Sequence, residues 1–300
     1  MDVTIAIPTL CRPSLYALLE RLKRYRDAEV ILVYKGELRT KDYNKAIEQK
    51  EGYYEEALNI ALKNASSPLL LVTDDDAVPS EHWVEDHVRF HEENQRVGVL
   101  TGRVVGRKWK NYPNALFQRL SRTIYMEEYC PKFKEYTGFL TKTGLSVDRG
   151  EHVGNEKTLA IAGVNMSVKR EVYQGFQLPE YSLRGSYNES VIALHAVRKG
   201  FDAFYFSGGE VFHGGEESLS RSTDPLVERY LAIEKHTFPY AVWRVWGLNV
   251  ALLEELYHLA RGEERVGIGI ALKGIRDKLE PHKLRGLLKD AMEGLSLYPP

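Results

Sequence analysis

The chain has little of what would tie it to an oxidising compartment or a membrane. Only two of its 300 residues are cysteine, Cys11 and Cys130, too few for a disulfide framework, and this points to a reducing, cytoplasmic setting. It begins MDVTIAIPTL, without a basic stretch followed by an apolar one, so no secretory leader is expected. No apolar run approaches the roughly 20 residues that cross a bilayer. Charge of one sign is missing as well: 41 Lys and Arg against 42 Asp and Glu leave a formal net charge of -1. That removes the global bias expected of a nucleic-acid binder, and any basic function must be local. Methionine is scarce at 4 residues while 28% of the chain is charged, a composition that leans towards a thermophilic source. What is present is a 43% hydrophobic content, enough core for one large domain or for a domain with an appendage.

Taken in order, DVTIAIP (residues 2–8) is a β-branched run stopped by proline, and SLYALLERLKRY after it carries apolar residues at helical spacing. EVILVY (29–34) is a second strand of the buried type, residues 53–63 are helical, and a strand at 69–73 completes a βαβαβ pattern. Such a pattern predicts a parallel sheet with right-handed crossovers. HWVEDHVRFHEEN reads as a helix and RVGVLTGRVVG as the next strand. His87 and His91 stand at i and i+4 on that helix, but no glutamate follows His87 as a zinc protease would require, so packing or surface placement is preferred.

Residues 107–157 lose periodicity and mix Lys and Arg with Trp109, Tyr112, Tyr125, Tyr129 and Tyr136. Basic residues beside aromatics can stack nucleic-acid bases, yet without a recognised binding motif an acceptor-binding region or plain packed connections fit better. Strand character resumes at 159–169, a helix runs from 189 to 199, and further strand segments at 201–206 and 210–212 end at His213 among glycines. Asp224-Pro225 is a strong helix start, with Asp as cap and Pro at the first position. A boundary is placed at 224, and residues 225–300 are expected to be helical. Their amphipathic stretches, with Trp243 and Trp246, are expected to pack on the preceding domain, to pair with another subunit as a homo-oligomer, or to rest peripherally on a membrane, in that order. The glycines of VGIGIALKG have no strand before them, which argues against a dinucleotide fingerprint.

One stretch stands out. In SSPLLLVTDDDAVPS (66–80) a short apolar run ends in three aspartates and a proline turn. A buried strand that ends in like charges puts them at the carboxyl edge of the sheet, where open α/β sheets bind ligands. Adjacent carboxylates repel one another unless a cation, a helix N-terminus or solvent compensates them. On this stretch alone an exposed acidic turn, leading into a helix capped by Ser80, remains equally open.

The ordered set of motifs resembles the family-two glycosyltransferases, the inverting type with a GT-A fold, over about residues 3–220. IPTLCRP resembles that family's first strand and loop, and GYYEEALNIALKNA the helix before its metal motif. DDDAVPSEHW has its aspartate–any–aspartate (DXD) spacing followed by proline and tryptophan. GVNMSVKREVYQGF resembles its acceptor-side segment, NESVIALHAVRKGF the helix that begins with the catalytic acid, and EVFHGG the strand ending in a metal-binding histidine. The resemblance implies an α/β GT-A (Rossmann-like) fold, a mostly parallel mixed sheet sandwiched by helices with a C-terminal helical extension. Residues 1–224 would form the catalytic domain, with 1–106 the nucleotide-sugar and metal half and 107–224 the acceptor half.

It also implies a metal-dependent transfer of a hexosyl group from a UDP-, GDP- or dTDP-sugar to a hydroxyl of a glycan, a lipid-linked carrier or a small molecule. Asp76 and His213 would ligate Mn²⁺ or Mg²⁺, with the histidine favouring Mn²⁺, and Asp74 would support the ribose or a metal-bound water. Asp75 is grouped with the donor-binding residues, as are Pro8, Thr9, Arg12, Tyr34 and Asn59. Glu189 would be the general base, at a helix N-terminus whose dipole favours the ionised carboxylate. Three positions depart from the family pattern: Tyr34 stands where an aspartate usually contacts the nucleotide base, Leu58 replaces an arginine, and Asn188-Glu189 replaces an acidic pair. Base recognition then falls to Tyr34 by stacking, to Lys35 or to the 8–12 loop, and a non-catalytic nucleotide- or glycan-binding module of the same fold is the alternative. A nucleotidyltransferase is disfavoured because TLCRPSL contains no glycine, and an aspartate-type phosphohydrolase because Pro8 and Thr9 stand where its acidic pair should be.

Overall fold

The computed structural model describes residues 2–106, 114–148, 152–214 and 224–296. Trp109, Tyr112 and the last glycine of EVFHGG lie outside the described residues. In chain order the strands are β1 (Val3–Thr9), β2 (Glu29–Tyr34), β3 (Lys45–Glu48), β4 (Leu69–Val72), β5 (Val78–Pro79), β6 (Val97–Thr101), β7 (Val104–Val105), β8 (Gly138–Leu140), β9 (Ser146–Asp148), β10 (Glu156–Lys157), β11 (Met166–Lys169), β12 (Asp202–Tyr205) and β13 (Val211–Phe212). The helices are α1 (Pro13–Leu22), α2 (Tyr54–Asn64), α3 (Trp83–Glu93), α4 (Asn114–Leu120), α5 (Arg170–Tyr173), α6 (Asn188–Arg198), α7 (Pro225–His236), α8 (Phe238–Val245), α9 (Val250–Leu259), α10 (Gly262–Arg276) and α11 (Pro281–Gly294). The described residues fall into two compact units, one drawn from 1–109, 151–178 and 192–216, the other from 110–150, 179–191 and 217–300.

The first unit is built on an eight-stranded sheet in the order β10-β12-β6-β11-β4-β1-β2-β3. β4, β1, β2 and β3 run parallel, while β11 is antiparallel to both β4 and β6. Parallel strands covered on both faces read as unbroken apolar runs, and all four residues of β4 are buried, as is β1 apart from half-buried Pro8. Pro13 starts α1 at its first position, and Leu15, Leu18, Leu19 and Leu22 form the stripe that packs on Ile5, Ile7 and Leu32. Burial of each such side chain stabilises the unit by about 1.5–3 kcal/mol. β3 was not foreseen: it is a short edge strand with Lys45 and Glu48 exposed, and it lacks the apolar alternation that marks a strand.

A second, three-stranded sheet, β5-β13-β7, sits beyond the ends of β4 and β6, with β13 antiparallel to β5 and parallel to β7. Its pairing continues past β5, where the Ser80 amide donates to the Glu210 carbonyl at 2.8 Å. This corrects the expected cap. α3 begins only at Trp83, with His82 at its N-cap position, because Ser80 is still held by the strand partner. His87 and His91 face inwards from α3 and are buried. Both pair with Ser167 Oγ, at 2.8 and 2.9 Å, and burial pushes their pKa values down to about 4 and about 3.

The second unit is mainly helical, and its core joins Leu183 to Val227, Tyr230, Leu231 and Ile233 of α7 and to Leu288 and Met292 of α11. Asp224 caps α7 as expected, its Oδ1 accepting from the Leu226 amide at 2.9 Å. α10 is the helix on which α7, α8, α9 and α11 pack. The glycines of VGIGIALKG belong to this packing: a Cβ at Gly267 would collide with the Ile233 carbonyl, and one at Gly274 with Leu284. The aromatic residues of 125–136 are packed connections. Tyr129 donates to the Gly247 carbonyl and meets the Trp246 ring at 5.3 Å, Phe133 meets the same ring, and Tyr125 donates to Glu255. Among the described residues, no helix is long and apolar enough to cross a membrane.

Candidate functional site

Three parallel strands deliver their carboxyl ends to one edge. In register, Thr9 of β1 lies beside Tyr34 of β2, and the Thr73 amide, just past β4, donates to the Ala6 carbonyl. The aspartates follow immediately, as the sequence predicted for a buried strand ending in charge. The small sheet then completes the cluster. Because Phe212 pairs with Val78, the residue after β13 is carried back along β5 to the aspartate turn. His213 Nε2 reaches Asp76 Oδ1 at 3.0 Å and Asp74 Oδ2 at 3.6 Å.

One ligand atom from each of Asp74, Asp76 and His213 lies within 4.8 Å of the others, with His213 buried and the two carboxylates half-buried. Two oxygen donors and one imidazole in this space fit a hard or borderline divalent cation such as Mg²⁺ or Mn²⁺. Burial pushes the Asp76 carboxyl upwards, but the hydrogen bond and charge of His213 outweigh it and leave its pKa below the ordinary aspartate value.

Asp75 faces other partners. Its Oδ2 accepts from the Thr9 hydroxyl at 2.7 Å and from the Leu10 amide at 3.3 Å, and Arg12 stands 3.8 Å from Oδ1. It therefore fastens the loop after β1, in which Cys11 adopts a left-handed φ of 59° and donates its amide to Thr9 Oγ1. Burial raises the Asp75 pKa, against the opposing pull of Thr9 and Arg12. The far side of this loop is closed by the Lys35 amide donating to the Thr9 carbonyl at 3.0 Å, and Lys35 Nζ reaches the Gly52 carbonyl. Asn59 is turned to Leu178, donating to its carbonyl at 3.0 Å and accepting from its amide at 2.8 Å. Glu189 lies in the first turn of α6, half-buried, within the second unit.

One supporting residue escaped the sequence reading. Asn165 Oδ1 accepts from Trp83 Nε1 at 2.8 Å and pairs with His87 Nε2 at 2.9 Å, while its Nδ2 donates to the carbonyls of Arg103 and Gly209. It thus ties α3 to the turns that lead into β7 and β13, and so supports the strand that carries His213. The available signal was a lone amide within an apolar stretch, LAIAGVNMSV, since a buried amide needs several partners at once.

A mixed sheet of this order, with an acidic turn at its carboxyl edge, defines a GT-A glycosyltransferase fold. A family model described as glycosyl transferase family 2 matches residues 4–174, more than half of the chain, and the chain belongs to that family. Among solved structures it is similar to the mannosyltransferase PcManGT from Pyrobaculum calidifontis in complex with GDP-Man and Mn²⁺. The TM-score is 0.52 and the identity 16%, over 100% of this chain and 81% of that one. It is also similar to S. aureus TarS 1-349 in complex with UDP-GlcNAc, at a TM-score of 0.51 and 12% identity, over 93% of this chain and 92% of that one. Comparison with curated proteins returns no match.

Proposed function

We propose that this family member is an inverting, metal-dependent glycosyltransferase acting in the cytoplasm. It would move a hexosyl group from a UDP-, GDP- or dTDP-sugar to a hydroxyl of a glycan, a lipid-linked carrier or a small molecule. The observation that carries this reading is the convergence of Asp74, Asp76 and His213, from two distant parts of the chain, within 4.8 Å at the sheet edge. Asp76 and His213 would hold Mn²⁺ in preference to Mg²⁺, and Asp74 would take the ribose or a metal-bound water. When bound, the ion supplies Lewis acidity that offsets the charge of the departing diphosphate.

The chain's own residues do the rest. The loop of Pro8, Thr9 and Arg12, kept in shape by Asp75, would present backbone and guanidinium to the donor, and Tyr34 would stack on its base. Asn59 would act on the donor side through the segment it holds at Leu178. Glu189 would take the proton from the incoming hydroxyl, favoured as a carboxylate by its place in the first turn of α6. That GDP-Man and UDP-GlcNAc occupy similarly folded proteins supports a nucleotide-sugar as the class of donor.

The test is donor hydrolysis and transfer with Mn²⁺ across a panel of UDP-, GDP- and dTDP-sugars. Asp76→Ala is expected to abolish turnover and Mn²⁺ binding, and Glu189→Gln to lower kcat by about 10²–10⁴-fold with nucleotide binding intact. No turnover in the wild type, with metal and nucleotide binding unchanged in Asp76→Ala, would overturn the reading. Tight nucleotide binding without turnover, insensitive to Glu189→Gln, would mark a non-catalytic binding module instead.

A further inference from the structure

Glu234 is a carboxylate with 1% exposure on α7, and nothing in the chemistry above uses it. Its surroundings are unusual for a helical glutamate. Oε2 accepts from the amides of Leu183 and Arg184, both at 3.0 Å, and Oε1 from the amides of Arg184 at 3.2 Å and Ser186 at 3.0 Å. The Tyr230 hydroxyl adds a contact to Oε2 at 3.2 Å. Amides of one short loop that converge on a single anion form a nest, and an ionised carboxylate offers about four lone-pair sites to fill it. Hydrogen bonds to a charged acceptor are the stronger kind, and this one is shielded from water.

The loop so gathered runs directly into α6. Gly185 takes a left-handed φ of 80° and donates its amide to the buried Ser182 hydroxyl at 2.8 Å, and Tyr187 is left-handed too, at 66°. A tyrosine holds that conformation only where its surroundings impose it. Here its ring lies 5.2 Å from that of Phe238 and 6.0 Å from Lys235 Nζ. Asn188 then opens α6, its amide donating to the Gly185 carbonyl, and Glu189 follows in the first turn. The direction in which α6 starts is therefore set by a loop whose amides are collected by one side chain of α7.

Resting on the reading of Glu189 as the base, we infer that Glu234 is its positioning residue: the Glu234 carboxylate orders residues 183–187 and thereby aims the first turn of α6. The closing helices then have a catalytic task, since α7 fixes where the proton acceptor stands. Misplacement of a reacting group by about 1 Å costs roughly a hundredfold in rate, so the effect should appear in kcat.

Amide hydrogen exchange on the full chain needs no substrate and comes first. In the wild type the amides of Leu183, Arg184 and Ser186 should exchange as slowly as the interior amides of α7, and exchange at open-loop rates would overturn the proposal. In Glu234→Gln, where an NH₂ group replaces one acceptor oxygen and faces N–H donors, protection of residues 183–191 should fall while that of α9 to α11 is kept. With the donor that turns over, Glu234→Gln should lower kcat by about a hundredfold, leave donor KM unchanged, and cause no further loss when added to Glu189→Gln. Losses that multiply in the double variant, or a wild-type kcat in Glu234→Gln, would overturn the proposal and leave the base assignment standing. Wild-type turnover in Glu189→Gln would remove the base assignment, and the catalytic consequence of Glu234 with it.

Discussion

Asp74, Asp75 and Asp76 are chemically identical neighbours with different partners. The outer two share His213, whereas the middle one is taken by Thr9, Leu10 and Arg12. Replacing Asp75 by Ala should therefore act differently from replacing Asp76. It leaves the Thr9 hydroxyl and the Leu10 amide without their acceptor, and should lower stability by about 1–3 kcal/mol and weaken nucleotide binding. Mn²⁺ binding should survive, because Asp74, Asp76 and His213 keep their places; thermal unfolding and calorimetric titration with Mn²⁺ and with nucleotide separate these effects. The presence of a charged site was legible in the sequence, since acidic residues after LLLV and a histidine among glycines both mark strand ends. The division of labour within DDD was not, because it depends on how the turn after Thr73 rotates each side chain. Glu234 left no trace either: in EKH at the end of a helix it reads as an ordinary solvated acid, and its loop partners lie about 50 positions earlier.

Long elements with clear periodicity were legible. β1, β2 and β4 fall within a residue or two of their expected ranges, α1 ends three residues before its expected stretch does, and α7 starts at Pro225 as expected, since apolar runs, proline starts and an aspartate cap each declare themselves locally. β13 lies within the strand segment expected at 210–212, and RVGVLTGRVVG, expected as one strand, divides into β6 and β7 of two different sheets; β5, read as a proline turn, is a strand only because β13 pairs with it. Ser80 failed as a cap for the same reason: a long-range strand partner, Glu210, outcompeted a local hydroxyl. α10 offers a test of packing at this scale. Gly267→Ala adds a methyl group facing the Ile233 carbonyl of α7, and should cost roughly 1–3 kcal/mol through separation of the two helices. Gly286→Ala, on α11 with open space around it, should be neutral or slightly stabilising by comparison. Thermal denaturation of the two variants side by side checks the difference.

For the molecule as a whole, His87 and His91 link stability to acidity. Both are held neutral, with folded pKa values of about 4 and about 3 against an ordinary 6.5. The unfolded chain thus binds more protons than the native one below pH 6.5, so stability is full above that value and falls as pH drops towards the folded values. Each histidine contributes a slope of up to about 1.4 kcal/mol per pH unit. Chemical denaturation between pH 8 and pH 4 should show a level region followed by this decline, and His91→Gln should flatten it.

Asp76 and His213 stand 137 positions apart, and the pairing of β13 with β5 and β7 brings them together. A nascent or clipped chain that ends before β13 has both aspartates but no imidazole to meet them. The proposed ligand set would consequently be a property of the finished first unit and not of any folding intermediate that lacks its last strand. By mass action, a cation that prefers the full set draws the population towards the closed native state. On the proposed metal-binding reading, the cluster would act as a latch that reports completion of the fold as well as a site where chemistry could begin.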